Sequence, residues 1–220
     1  MRSKFLTFFL PSLLSASFLA AALPASAFTE GTDYVTLEKP IPNADKTLIK
    51  VFSYDCPFCY RYDKRVTGPV VQKLDGIVTF EPFPLETKAK YSLPAARLFA
   101  VLILKDRANG TSLVDDKSLF KKAKMAYYTA YHDNRERWDG GENDFLKTGL
   151  DAAGMPRAEY DAAVKDSKVE EMLKKWQAGY DVAKIQGIPA YVVNGKYLIY
   201  TKNIRSEDGL ANLIKELADK

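Results

Sequence analysis

The chain has two cysteines, and both lie in residues 53–65, "SYDCPFCYRYDKR", as Cys56 and Cys59. What flanks this pair constrains the fold more than any other feature. Residues 46–52, "KTLIKVF", form a short apolar run with the length and composition of a buried strand. Pro57, inside the pair, suits the first position of a helix, where a missing N–H does no harm. Cys56 is therefore expected where a strand gives way to a helix. Three roles are open to such a pair: metal ligand, structural staple or electron exchange. A structural zinc site takes four Cys or His ligands, whereas this chain has two cysteines and one distant histidine, His132. No metal site is expected. A disulfide closing so small a ring removes little entropy from the unfolded chain. Redox exchange is the chemistry that remains.

The N-terminus bears on the compartment. Arg2 and Lys4 precede "FLTFFLPSLLSASFLA", and Ala25 and Ala27 close "ALPASA". A charged start, a short apolar core and an A-x-A ending describe a secretory signal peptide over residues 1–27. A membrane anchor is the competing reading; Pro11, the interrupting serines and the short run oppose it. Cleavage before Phe28 leaves 220 − 27 = 193 residues, enough for one domain or a domain with a large insertion. Losing Arg2 and Lys4 leaves 30 basic against 28 acidic residues, a net +2 that makes no case for nucleic acid. In an oxidising compartment outside the cytoplasm, a disulfide persists.

Strand signals bracket a long helical block. Residues 34–42, "YVTLEKPIP", and 77–83, "IVTFEPF", read as extended, with a helix from Pro57 that Gly68 and Pro69 should break or kink. Between residues 92 and 184 apolar residues recur three and four apart, punctuated at Asn109–Gly110, Gly140–Gly141 and Gly154. "AYVV" and "KYLIY" then flank Asn194–Gly195, a strong type I′ hairpin signal. Ser206 is placed to cap a last helix. His132 reads as a surface residue at a helix end, Tyr127, Tyr128 and Tyr131 as core and rim, and "KDRANG" and "KKAKM" as solvated faces.

At the motif itself, a thiolate rather than a thiol attacks a disulfide. Cys56 at a helix start would face unpaired N–H groups and the positive end of the macrodipole, which favour a thiolate. The spacing suits an exposed nucleophile at Cys56 and a covered, resolving partner at Cys59, one turn inward. Phe58 brings no charge, and Asp55 would oppose a thiolate it faced. Lys50, six residues before Cys56, shares a strand face with Phe52 and Tyr54 and either underlies the site or snorkels to solvent. Lys64, Arg65, Lys88 and Lys90 would lower the Cys56 pKa further and select acidic or polar clients if they ringed it. Far along the chain, Ile188–Pro189 opens a strand, and a cis bond there would bring the Ile188 backbone to an extended substrate.

Cys56-Pro57-Phe58-Cys59 after a strand, with "GIPAYVVNGKY" after the helical block, resembles the thioredoxin superfamily and, within it, the DsbA family of periplasmic disulfide oxidants. The resemblance spans essentially the whole mature chain. It implies an α/β thioredoxin fold with a large inserted all-helical domain: a discontinuous thioredoxin-like domain over residues 28–90 and 185–220, and the insertion over 91–184. It implies catalysis by Cys56 and Cys59, substrate contact at Ile188 and Pro189, thiolate tuning by Pro57, Phe58 and Lys50, and no cofactor beyond the redox-active disulfide. Phe58 and Lys50 depart from DsbA, which carries histidine and a buried glutamate there, and resemble a specialised branch of the family. That branch implies an arylsulfate sulfotransferase as client and reoxidation by a quinone-linked membrane oxidase of the DsbI or DsbB type, acting on a monomer. A general DsbA-type oxidant, an isomerase or reductase on the same fold, and a binding module with incidental cysteines are the alternatives.

Overall fold

The computed structural model describes residues 28–220. Residues 1–27, and with them the expected signal peptide, lie outside the described residues. Five strands, β1 (Tyr34–Thr36), β2 (Thr47–Phe52), β3 (Thr79–Pro84), β4 (Ala190–Val193) and β5 (Tyr197–Ile199), form one mixed sheet in the order β1-β5-β4-β2-β3. β2 is central and buried along its whole length, which is why it reads as a continuous apolar run rather than an alternating one. β3 pairs with it in parallel, setting Phe52 opposite Pro84. α1 (Pro57–Arg65) and α2 (Thr67–Lys73) make the crossover between these two strands. The helix breaks at Val66, before the Gly68–Pro69 pair that was expected to break it. Pro69 lies in the first turn of α2, where an amide hydrogen has no helical partner to lose. On the outer edge, β1 runs antiparallel to β5.

The helical block follows as α3 (Ser92–Ala108), α4 (Leu119–Tyr128), α5 (Glu142–Ala153), α6 (Arg157–Ala163) and α7 (Ser167–Trp176). α8 (Ala178–Gln186) then returns the chain to the sheet, where Gly179 approaches Val51 of β2 closely. β4 lies antiparallel to β2, with Ala190 opposite Val51, and β5 completes the hairpin. Its turn has φ of 53° at Asn194 and 62° at Gly195, as a type I′ turn requires. Gly195 is also sterically obliged: a Cβ there would fall 2.4 Å from the Ile41 carbonyl oxygen. α9 (Glu207–Ala218) closes the chain, capped by Ser206 Oγ accepting from the Gly209 amide.

An aromatic core joins the two parts of the chain. Phe52 at the end of β2 contacts Phe99 and Phe120, and Tyr54 just beyond it contacts Tyr127, Trp138 and Phe145. Tyr127 and Phe145 stack at 4.2 Å. The helices thus pack against the very residues that lead into the cysteines. Two stretches read as solvated are not wholly so. Asp106, in "KDRANG", is 1% exposed and accepts from Ser118 Oγ and the Leu119 and Phe120 amides, capping α4 from another helix. Lys124, in "KKAKM", is buried too. Neither stretch could be placed from its own composition, because the buried partner lies elsewhere in the chain.

Candidate active site

β2 ends at Phe52, the chain turns through Tyr54 and Asp55, and α1 begins at Pro57. Cys56 is the N-cap of α1, and the Cys59 amide donates to Cys56 Sγ at 3.0 Å. Cys56 and Cys59 form a disulfide with their Cα atoms 5.2 Å apart. The Ile188–Pro189 bond is cis, and the Ile188 carbonyl oxygen lies 3.6 Å from Cys56 Sγ. Residues more than 130 positions apart therefore meet at one sulfur. The accessibility expected of Cys56 needs correcting in this disulfide form: Cys56 is 3% exposed and Cys59 is fully covered. The Ile188–Pro189 loop lies over the sulfur, and Phe58, 56% exposed, takes the outward position. The Arg61 guanidinium sits 4.3 Å from the Phe58 ring centre.

Lys50 does not snorkel. It is buried, with Nζ 2.7 Å from Asp63 and 3.0 Å from Thr67 Oγ1. The Asp63 carboxylate is buried as well and also binds Lys124 Nζ at 3.0 Å and the Tyr128 hydroxyl at 3.0 Å. Thr67 continues the network to the Tyr191 hydroxyl at 2.9 Å. The result is a buried lysine–aspartate–lysine group with one excess positive charge, on the face of α1 one turn beyond Cys59. Burial pulls the Lys50 ammonium below its usual range, against the pull of Asp63. For Asp63 burial pushes upward, but Lys124 and Lys50 together outweigh it and hold the carboxyl below the carboxylate range. Asp63 and Lys124 escaped the sequence reading. The four-residue spacing of Cys59 and Asp63 placed both on one face of α1, a usable signal; Lys124 carried none.

Asp55 has a simple account. Its carboxylate is 13% exposed; Oδ2 accepts from Lys88 at 2.7 Å, so a cation offsets its charge, while Oδ1 is buried without a hydrogen-bond partner. The other cations expected around Cys56 are partly engaged: Lys64 is 3.6 Å from Asp133, and Lys90 lies over the Tyr91 ring. Arg65 does reach the site. With Phe58, Arg61, Tyr62, Ile188 and Pro189 it lines an open cavity of about 580 Å³. His132 lies at a helix end, as expected, but is half-buried rather than fully solvated. Its Nε2 is 3.0 Å from the Tyr54 carbonyl oxygen.

A central strand delivering a C-x-x-C pair to a helix start, faced by a cis-proline loop from a distant hairpin, defines a thioredoxin-fold dithiol–disulfide site. A profile of the DSBA-like thioredoxin domain matches residues 47–215. The chain belongs to the DsbA family and is a thiol:disulfide oxidoreductase.

The specialised branch anticipated from Phe58 and Lys50 is that of DsbL. The chain is 65% identical over 211 residues to the thiol:disulfide interchange protein DsbL of Escherichia coli O6:H1, covering 95% of each chain. It is 62% identical over 222 residues to that of Lelliottia amnigena, covering both chains in full. The crystal structure of DsbL from Salmonella enterica serovar Typhimurium superposes with a TM-score of 0.87 at 68% identity, over 89% of this chain and all of that one. DsbA of Yersinia pestis is 24% identical over 204 residues, covering 91% of this chain and 90% of that one.

Proposed function

We propose that this protein works in the periplasm as a DsbL-type oxidant, donating the Cys56–Cys59 disulfide to exported proteins. The observation that supports this best is Cys56 Sγ at the N-cap of α1, accepting from the Cys59 amide beside the Ile188 carbonyl. A client thiolate attacks Cys56 Sγ, the Cys56–Cys59 bond breaks, and its electron pair leaves on Cys59. A second client thiolate then attacks the client sulfur of the mixed disulfide and releases Cys56 as a thiolate. The helix start stabilises that leaving thiolate, and a stabilised reduced form makes the disulfide a strong oxidant. Pro57 presets the first turn, Phe58 places no charge between the two cysteines, and Lys50 contributes to the excess positive charge behind α1. Ile188 and Pro189 present backbone to an extended client segment.

The resemblance to DsbL supports a narrow client range, with an arylsulfate sulfotransferase as the favoured client. The same resemblance supports reoxidation of a monomer by a DsbI- or DsbB-like quinone-linked membrane oxidase. Arg61 and Arg65 beside Phe58 fit clients with acidic or polar segments. The test is an equilibrium titration against glutathione, followed by oxidation rates for reduced sulfotransferase and a generic reduced protein at low and high salt. A strongly oxidising equilibrium, with faster sulfotransferase oxidation that salt slows, is expected. Equal rates with no salt effect would return the protein to the general DsbA reading.

A further inference from the structure

The lone histidine sits in an unusual segment. α4 ends at Tyr128, and residues Thr129–Asp133 continue as a π-helical turn, a rare form that often marks functional positions. This turn grips the redox motif on both sides. On the far side of the cysteines is Tyr60, the residue after Cys59. Its hydroxyl donates to Asp133 Oδ2 at 2.6 Å and lies 3.2 Å from Thr129 Oγ1. The Tyr60 ring stacks on His132 with centres 5.5 Å apart and planes 19° from parallel. On the near side is Tyr54, two residues before Cys56, whose carbonyl meets His132 Nε2 at 3.0 Å. A carbonyl only accepts, so Nε2 carries the proton.

We propose that His132 is a positioning residue for Cys56: by donating Nε2–H to the Tyr54 carbonyl it fixes the strand-to-helix turn that aims Cys56 at the start of α1. Side chains also anchor the turn: the Tyr54 ring lies in the aromatic core with its hydroxyl accepting from the Tyr91 amide at 3.2 Å, and Asp55 accepts from Lys88. The turn itself is closed by the Cys56 amide donating to the Ser53 carbonyl at 3.2 Å, and the Ser53 hydroxyl is buried without a hydrogen-bond partner. Without the imidazole donor, the Tyr54 carbonyl would be unmet inside a partly buried site, and its peptide plane could tilt even with the Tyr54 ring held in the core. Cys56 Sγ would then drift from the Cys59 amide, and the thiolate would lose its best donor. An unmet carbonyl oxygen two residues away would also oppose negative charge on Cys56. Both effects act in one direction, toward a less stable thiolate and a weaker oxidant.

The charges around the ring are consistent with a neutral donor. Burial lowers the His132 pKa, against the Tyr54 carbonyl, Asp55 and Asp133, which raise it, while Arg137 lowers it. Lys88 holds Asp55 and Lys64 holds Asp133. Arg61, Lys64 and Arg65 line the same open cavity as His132.

This role rests on the proposed function, in which Cys56 is the sulfur a client thiolate attacks and the one that leaves as a stabilised thiolate, which the wild-type thiolate titration tests alone. The positioning role is read from differences between variants. His132→Phe keeps a ring against Tyr60 and removes the donor; His132→Gln restores an N–H at the reach of Nε2. The expected result for His132→Phe is a raised Cys56 thiolate transition and a glutathione equilibrium moved about threefold to tenfold toward a weaker oxidant, the size of one lost hydrogen bond. His132→Gln should return within about twofold of wild type. A His132→Phe equilibrium indistinguishable from wild type, or a Gln variant as impaired as the Phe variant, would overturn the proposal. Imidazole nitrogen chemical shifts of the unaltered protein give an answer that needs no variant to fold. They should report the Nε2–H tautomer in oxidised and reduced forms, and an Nδ1–H tautomer would refute the role.

Discussion

Asp63 holds the ammonium groups of Lys50 and Lys124 inside the core. Removing its charge by Asp63→Asn would leave two buried cations without that counter-charge, a change that commonly destabilises by about 3–5 kcal/mol. The loss should appear as a lower urea midpoint at neutral pH. The sign of its pH dependence follows from the lowered pKa. A carboxyl whose folded pKa lies below its unfolded value of about 3.9 contributes stability above that value and loses it as pH falls through the folded one. The gap between wild type and Asp63→Asn should therefore narrow in strong acid, and a constant gap would contradict the lowered pKa. Lys50→Met tests tuning rather than stability. It leaves Asp63 paired with Lys124 and removes the excess charge, so the Cys56 thiolate transition should rise, by up to about one unit. An unmoved transition would reduce the group to a structural one.

At the scale of elements, helix starts decide the most. α1 begins on a sulfur, α9 on the Ser206 hydroxyl, and α4 on both Ser118 and the buried carboxylate of Asp106. Asp106 belongs to α3, so its bonds tie two helices of the aromatic core together. Asp106→Ala would orphan two amides and a hydroxyl in the interior. We expect a loss of about 2–4 kcal/mol, from a missing cap plus unmet buried donors. Asp106→Asn should lose less, since an amide oxygen still accepts. Urea unfolding of the two variants checks the order, and equal losses would show that the charge rather than the acceptor matters.

For the whole molecule, oxidising power and stability are two sides of one cycle. If the start of α1 stabilises the Cys56 thiolate, the reduced protein gains native-state stability that the disulfide form lacks, which is the thermodynamic meaning of a strong oxidant. The reduced form should therefore unfold at a higher urea concentration than the oxidised form at neutral pH. The opposite order would contradict the thiolate-stabilising geometry at Cys56.

Local pattern carried much of this protein in its sequence. The central strand, the helix opening at Pro57, the Asn194–Gly195 turn and the Ser206 cap follow from propensities that act over a few residues, and the structure has each of them. The meeting of Cys56 with Ile188–Pro189 was readable through resemblance, because a motif after a strand and a motif before one recur together. Charge placement was not readable in this way. Lys50 could have faced water or the core; it is buried because α1 and α4 bring Asp63 and Lys124 to the same point. Asp55 is met by Lys88 from beyond β3, and His132 turns inward because a π-helical turn redirects the end of α4 onto Tyr54 and Tyr60. Whether a charged side chain is solvated or paired depends on which distant group arrives beside it, and desolvation makes that outcome a property of the assembled interior rather than of neighbours in the chain.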